Sequence, residues 1–374
     1  MNEEDARQLV TRMVEIASPS GQEQELARFL ADAMERLGFR SAIDGAGNVV
    51  GRRGRPGGAQ IMLLGHMDTV ADLIPTRLDG SLLYGRGAVD AKGALATLIC
   101  ATAQLDPLDG ELIVVGAVEE ETPGSRGAHY LLDRYQPDAV IIGEPSGWAG
   151  VVLGYKGRIG IQYEVRRPPS HMASPEEKAT EVAIAFWNRL CEHAASSAAD
   201  ERLFYRLTAT LGEFAGTIER ARLDLSCRTP PGFDFAAFDA FLATIAGDAQ
   251  LTVDERTPAA VMERSAPTVR ALAASIRQRG VQPKYKVKTG TSDMNIVNTR
   301  WPVPMAAYGP GDSSLDHTAD EHLDLQEFTA AVEVLRDALP PLLAELNAQR
   351  AENVYSDEEE ADLAARLEAL GYLE

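Results

Sequence analysis

The chain has 374 residues, 45% apolar and 25% charged, the profile of an ordinary globular protein with room for one large domain or two medium ones. Acidic residues outnumber basic ones by 56 to 36, a formal charge of −20, which argues against nucleic acid or an anionic membrane as partner, because phosphate binding needs a basic face. Three scattered cysteines, Cys100, Cys191 and Cys227, form neither a disulfide framework nor a cysteine-rich zinc site.

Residues 4–37 carry helical periodicity, broken at Ser18-Pro19-Ser20-Gly21. The second of these helices sets Leu26, Phe29, Leu30, Met34 and Leu37 on one face and stops at Gly38. The acidic N-terminus lacks the apolar core of a signal peptide, and no apolar run reaches the roughly 18 residues of a membrane span, so a cytoplasmic protein is expected. Short apolar runs follow at 48–51, 60–65, 111–118 and 139–143, with a helix over 91–105 between the second and third. Alternating buried strands and helices predict an α/β sheet, in which ligand groups gather at the carboxyl ends of strands.

The pattern changes near residue 155. Strands at 160–166, 202–211, 217–228 and 250–256, with helices at 176–195 and 235–245, give the split βαβ order of a small α+β (ferredoxin-like) sandwich. From 266 the α/β character returns, with a helix at 266–280, strands at 284–288 and 303–308, and a final helix at 326–346. The expected organisation is a discontinuous domain, 1–154 plus 266–348, with a second domain, 155–265, inserted. The acidic segment 349–374 reads as a separate extension. Ser356-Asp357-Glu358-Glu359 looks like the N-cap of a short helix with Leu363, Leu367 and Leu370 on one stripe.

Five acidic or histidine positions sit just past apolar runs: His66 and Asp68 in GHMDTV, Asp90 in GRGAVDAKG, the triplet Glu119-Glu120-Glu121, Glu144 in GEPS, and His317 in DHTADE. Taken singly, each has a bland reading, such as a strand-end histidine, a helix N-cap or a solvated acidic loop. Together, two histidines and several carboxylates at the strand ends of one sheet are a nitrogen and oxygen donor set. Such a set suits zinc, with cobalt or manganese as substitutes. His66 and Asp68 are two apart, so on extended backbone the carboxylate can orient the imidazole. A shared carboxylate would give a two-metal site, with one spare glutamate as general base.

In this order and spacing the motifs resemble the dinuclear zinc deacylase and exopeptidase family, which includes acetylornithine deacetylase, succinyl-diaminopimelate desuccinylase and carboxypeptidase G. YKGR at 155–158, KTGTSDMN at 288–295 and AYGPGDSSLDHT at 307–318 are similar to the LysW-lysine/LysW-ornithine hydrolases. Those enzymes cut the amide between the γ-carboxyl of a carrier protein's terminal glutamate and the α-amino group of lysine or ornithine. The resemblance implies a zinc-exopeptidase-like mixed sheet with an inserted lid and dimerisation domain, and a homodimer. It implies two Zn2+ held by His66, Asp90, Glu121, Glu144 and His317, with Asp90 bridging and the Asp90–Ala91 peptide cis. Asp68 would orient His66, and Glu120 would be the base. His171 would reach across the dimer to the oxyanion, Arg228 would bind a substrate carboxylate, and Gly290, Thr291 and Ser292 would line the substrate pocket. A frame shift of one would instead make Glu119 the base and Glu120 the ligand. The carrier is small and acidic, as is this chain, so attraction must be local, and Lys156, Arg158, Arg166, Arg167, Lys284, Lys286 and Lys288 are the candidates. The rival expectations are a small-molecule deacylase acting on acetylornithine or succinyl-diaminopimelate, and a metal-dependent binding protein without catalysis.

Overall fold

The structure is a computed structural model that describes residues 1–106, 108–196, 201–254 and 256–369, with side chains up to residue 352. The chain forms two compact units: Met1–Leu153 with Met262–Lys286 and Trp301–Glu374, and Gly154–Val261 with Val287–Arg300. No helix among the described residues is long and apolar enough to cross a membrane. All three cysteines are free thiols.

The first unit is built on a mixed sheet. Its strands lie side by side in the order Arg40–Ile43, Val49–Gly54, Glu111–Ala117, Gln60–His66, Ala139–Gly143, Met305–Tyr308 and Gly150–Tyr155. Gln60–His66 runs parallel to both of its neighbours, and Met305–Tyr308 runs parallel to Ala139–Gly143. The outer pairings are antiparallel. Strands buried on both faces must be apolar throughout, which is why Ile61–Leu64, Leu112–Val115 and Ala139–Ile142 read as unbroken apolar runs. Each large side chain so buried contributes about 1.5–3 kcal/mol.

The parallel strands end level with one another. Gly65 is paired with Gly116 on one side and Gly143 on the other. This row of glycines seats the Lys92–Ala103 helix. A Cβ on Gly65 would stand 3.3 Å from Leu95 Cβ, one on Gly116 3.2 Å from Leu95 Cδ2, and one on Gly143 2.9 Å from Leu98 Cδ1. The missing side chains let the helix approach the sheet closely, and its first turn, with Asp90, arrives beside the three strand ends.

The second unit is a four-stranded antiparallel sheet in the order Thr208–Gly216, Arg220–Thr229, Gly157–Arg166, Gln250–Val253. In chain order this is 2-3-1-4, the ferredoxin-like arrangement. The helices Ala179–Ser196 and Phe235–Ala246 pack on it through Ala183, Phe186, Leu190, Phe238 and Leu242.

Three expectations need correction. The strand expected at 202–211 starts at Thr208, after a short 3-10 turn at Leu203–Tyr205. The buried Lys156 ammonium draws the carbonyls of Leu203 and Arg206 inward, which winds that segment. Val287–Arg300, expected in the first domain, belongs to the second unit, where the buried Asn295 amide donates to the carbonyls of Lys156 and Pro258. The last helix runs unbroken from Leu325 to Ala369, so Ser356 lies inside it and not at an N-cap. No glycine or proline stands between 342 and 369 to stop it. Leu370 of the expected stripe lies outside the described residues.

Candidate metal centre

All five expected ligands belong to the first unit. His66 ends the Gln60–His66 strand, Glu121 follows Glu111–Ala117, and Glu144 follows Ala139–Gly143. Because those strands end in register, their next residues share one rim. Asp90 precedes the Lys92–Ala103 helix through a cis Asp90–Ala91 peptide, and His317 lies in the loop after Met305–Tyr308.

The five side chains form two clusters that share Asp90. His66 Nε2 lies 3.4 Å from Asp90 Oδ1 and 3.9 Å from Glu144 Oε1. His317 Nε2 lies 3.1 Å from Asp90 Oδ2 and 2.9 Å from Glu121 Oε1. Within His66–Asp90–Glu144, and within Asp90–Glu121–His317, the donor atoms all lie within 4.8 Å of one another. Ligands about 2.0–2.2 Å from one zinc ion stand at such separations.

The charges fit a cation as well as the distances do. Burial opposes protonation of His66, but hydrogen bonds with Asp68 and Asp90 and the charge of Glu120 hold its pKa well above the usual value. Its bond to Asp90, together with Glu121, pushes His317 up to about 9. Burial and the neighbouring Asp90 charge raise the Glu121 carboxyl. Crowded carboxylates that hold protons on both histidines are a site short of positive charge, and divalent ions would supply it.

Asp68 organises the rest. His66 Nδ1 stands 3.0 Å from its carbonyl and 3.4 Å from its carboxylate. Each carboxylate oxygen also accepts a backbone N–H, Oδ1 from Glu120 and Oδ2 from Glu121, both at 3.0 Å. Ser20 Oγ adds a bond at 2.7 Å. Burial would raise this carboxyl, but the bonds from His66 and Ser20 hold it low. One aspartate thus fixes the histidine and the glutamate triplet together. The three glutamates diverge from there. Glu119, at φ +58°, pairs with Arg126 at 2.7 Å, Glu120 acts electrostatically on His66, and Glu121 meets His317.

Several supporting residues escaped sequence reasoning. Ser20 sat in what read as a helix break, yet Pro19 bridges Thr69 and Ser18 Oγ donates to the Met67 carbonyl. Glu321, fully buried, accepts the N–H groups of Val89 and Asp90 at 2.9 and 3.1 Å and pairs with buried Arg86 at 2.8 Å. Lys92 Nζ donates to the Ile16 carbonyl at 2.7 Å. Only contacts between chain-distant segments define these roles, so no local pattern carried them.

The remaining expected site residues lie in the second unit. His171 is exposed, and its Nδ1 accepts the N–H of Ala173. Arg228 Nη1 donates to Thr291 Oγ1, and a Cβ on Gly290 would meet no atom within 4 Å beyond its chain neighbours. Ser292 is buried, and its hydroxyl caps the Asp293–Asn298 helix. Lys156 is buried too, which removes it from the surface cations named above. Arg158, Arg166 and Arg167 are paired with Asp254, Glu164 and Asp248.

A model of peptidase family M20/M25/M40 matches residues 62–340. A Deinococcus radiodurans protein named LysW-lysine hydrolase is 44% identical over 352 residues, covering 90% of this chain and 97% of its own. A Staphylococcus aureus tripeptidase structure superposes with a TM-score of 0.76 at 21% identity, covering 92% of this chain and 99% of its own. A Bacillus subtilis structure described as a dinuclear metal binding peptidase of family M20 gives 0.68 at 15%, covering 92% and 98%. The chain belongs to peptidase family M20/M25/M40.

Proposed function

We propose that the chain is a dinuclear zinc amidohydrolase of the cytoplasm that releases lysine, and ornithine as a second product, from the terminal glutamate γ-carboxyl of a small acidic amino-group carrier protein. The observation that carries this reading is the 44% identity to the Deinococcus radiodurans LysW-lysine hydrolase over nine-tenths of the chain. The two clusters sharing Asp90 support the two-metal part.

His66, Asp90 and Glu144 would hold one ion, and Asp90, Glu121 and His317 the other. Bound there, the metals supply Lewis acidity for the amide carbonyl and a lower pKa for water. Asp68 keeps His66 Nδ1 engaged, so that Nε2 faces the cluster. Glu120 takes the proton from the attacking water and returns it to the α-amino nitrogen as the C–N bond breaks. Its backbone bond to Asp68 keeps it beside His66. His171 is assigned to the oxyanion, and Arg228 with Thr291 to a substrate carboxylate, a role suited to a guanidinium fork. Dimer formation is assigned to the second unit. Among the described residues its Thr208–Gly216 strand pairs on one side only and exposes Phe214.

The test is product release from three substrates: carrier-linked lysine, acetylornithine and succinyl-diaminopimelate. Lysine release at least a hundredfold faster (in kcat/KM) than either deacylation supports the reading. Faster deacylation overturns it.

A further inference from the structure

Between the Gly157–Arg166 strand and the Ala179–Ser196 helix of the second unit lies a segment, 167–178, without regular structure. It carries the exposed His171 and, beside it, Met172 at 76% exposure. None of residues 168–177 is buried, so apolar packing does not hold this segment in place.

The residue that follows is different. Lys178 is 6% exposed, and a lysine is rarely so buried unless its charge is compensated. Its ammonium donates to three oxygens of the exposed segment: Ser170 Oγ at 2.8 Å, the His171 carbonyl at 3.1 Å and the Ser174 carbonyl at 3.3 Å. Three acceptors match the three N–H groups of an ammonium, and none of them is a carboxylate. The charge is spent on the segment itself.

The main chain of Lys178 is fixed from the other side. Its N–H donates to Glu181 Oε2 at 2.8 Å, and its carbonyl accepts the Val182 N–H at 3.0 Å. The Ala179 N–H, next in the chain, donates to the Ile218 carbonyl at 2.9 Å. The helix that starts here is anchored in the core of the unit by Ala183, Phe186 and Leu190. A short path therefore runs from that core through Lys178 to the backbone of His171.

The same turn sets the imidazole. The His171 carbonyl also accepts the Ser174 N–H at 2.9 Å, and Nδ1 accepts the Ala173 N–H at 3.1 Å. A neutral ring whose Nδ1 accepts carries its proton on Nε2. Nε2–H is then the free donor, the group an oxyanion needs.

We infer that Lys178 is a positioning residue for the reaction: its ammonium clamps the turn at 170–174 and so holds His171 Nε2 where it can donate to the oxyanion. This rests on the role proposed for His171 and adds the group that keeps that histidine in place. Lys178 acts through His171, so its loss should lower kcat more than it changes KM, and should matter little once His171 is gone.

The test is a double-mutant cycle in the full-length, metal-loaded enzyme, run on whichever of the three substrates above wild type cleaves fastest, with denaturant unfolding of each variant in parallel. The variants are Lys178→Met and Ser170→Ala, each alone and combined with His171→Ala, and His171→Ala by itself. His171→Ala is expected to lower kcat about a hundredfold or more. Lys178→Met should lower kcat about tenfold or more, with KM within about threefold, yet by less than about twofold in the His171→Ala background. Ser170→Ala, which deletes one acceptor of the clamp, should show the same pattern with a loss of about two- to fivefold, and it carries the test if Lys178→Met does not fold. If His171→Ala lowers kcat and the clamp variants leave it unchanged, or lower it equally in both backgrounds, the clamp is wrong while the role of His171 stands. If wild type cleaves none of the substrates, or His171→Ala leaves kcat unchanged, both are wrong.

Discussion

Glu321 is the residue whose removal most sharply probes how Asp90, the carboxylate common to both clusters, is held. It is 0% exposed, and its one carboxylate serves three donors: the Arg86 guanidinium and the N–H groups of Val89 and Asp90. In Glu321→Ala the Arg86 guanidinium, 6% exposed, loses its carboxylate and keeps the bond from its Nε to the Asp72 carbonyl. Breaking a buried pair from one side costs about 3–5 kcal/mol, and each stranded N–H about 1–3 kcal/mol. These losses overlap because one group supplies all three bonds, so a total of roughly 5 kcal/mol is expected. Glu321→Gln keeps an acceptor for the two N–H groups and should lose less than half of that. Asp90 would then be held less firmly, and metal affinity should fall about 10–100-fold, as for other supporting partners of metal ligands. Denaturant unfolding of the metal-free protein measures the first effect, and a chelator competition measures the second. Metal-free Glu321→Ala within about 1 kcal/mol of wild type, with metal affinity within about twofold, would refute the role given to Glu321.

Metal uptake should release protons. Without metal, His317 titrates at about 9 and His66 well above its usual value, so both are protonated at neutral pH and must lose those protons to bind. The affinity for each ion should therefore rise with pH, by about tenfold per unit below the pKa of its own histidine. Calorimetry in buffers of different ionisation enthalpy should count close to two protons at pH 7, and a count near zero would show that the histidines are not ligands. Gly143→Ala sets a Cβ 2.9 Å from Leu98 and 3.3 Å from Gly65 Cα, and should cost about 1–3 kcal/mol by forcing the Lys92–Ala103 helix off the sheet. Unchanged unfolding would mean that the glycine row does not set the helix position.

The strands that carry the centre were readable because burial on both faces leaves a run such as Ile61–Leu64 without polar interruption. Four of the candidate ligands were readable because His66, Glu121 and Glu144 end or closely follow those runs and Asp90 precedes the helix between them, whereas His317 lies in a loop nine residues past Tyr308. The level ending of the three strands was not readable, since pairing Gly65 with Gly116 and Gly143 is a property of register and not of any segment. The same holds for Glu321 on the Asp90 backbone, 231 residues away in sequence. Among the cations the sequence could count charges but not partners. Burial removes Lys156 from the surface, and carboxylates pair with Arg158, Arg166 and Arg167.

The most direct test of the central claim is Glu120→Gln, assayed for bound metal and for lysine release from the carrier adduct. A general base that borders the ligands without being one should leave two metal equivalents bound and lower kcat by about 10²–10⁴. Loss of a metal equivalent would make Glu120 a ligand, and turnover above a tenth of wild type would contradict its assignment as the base.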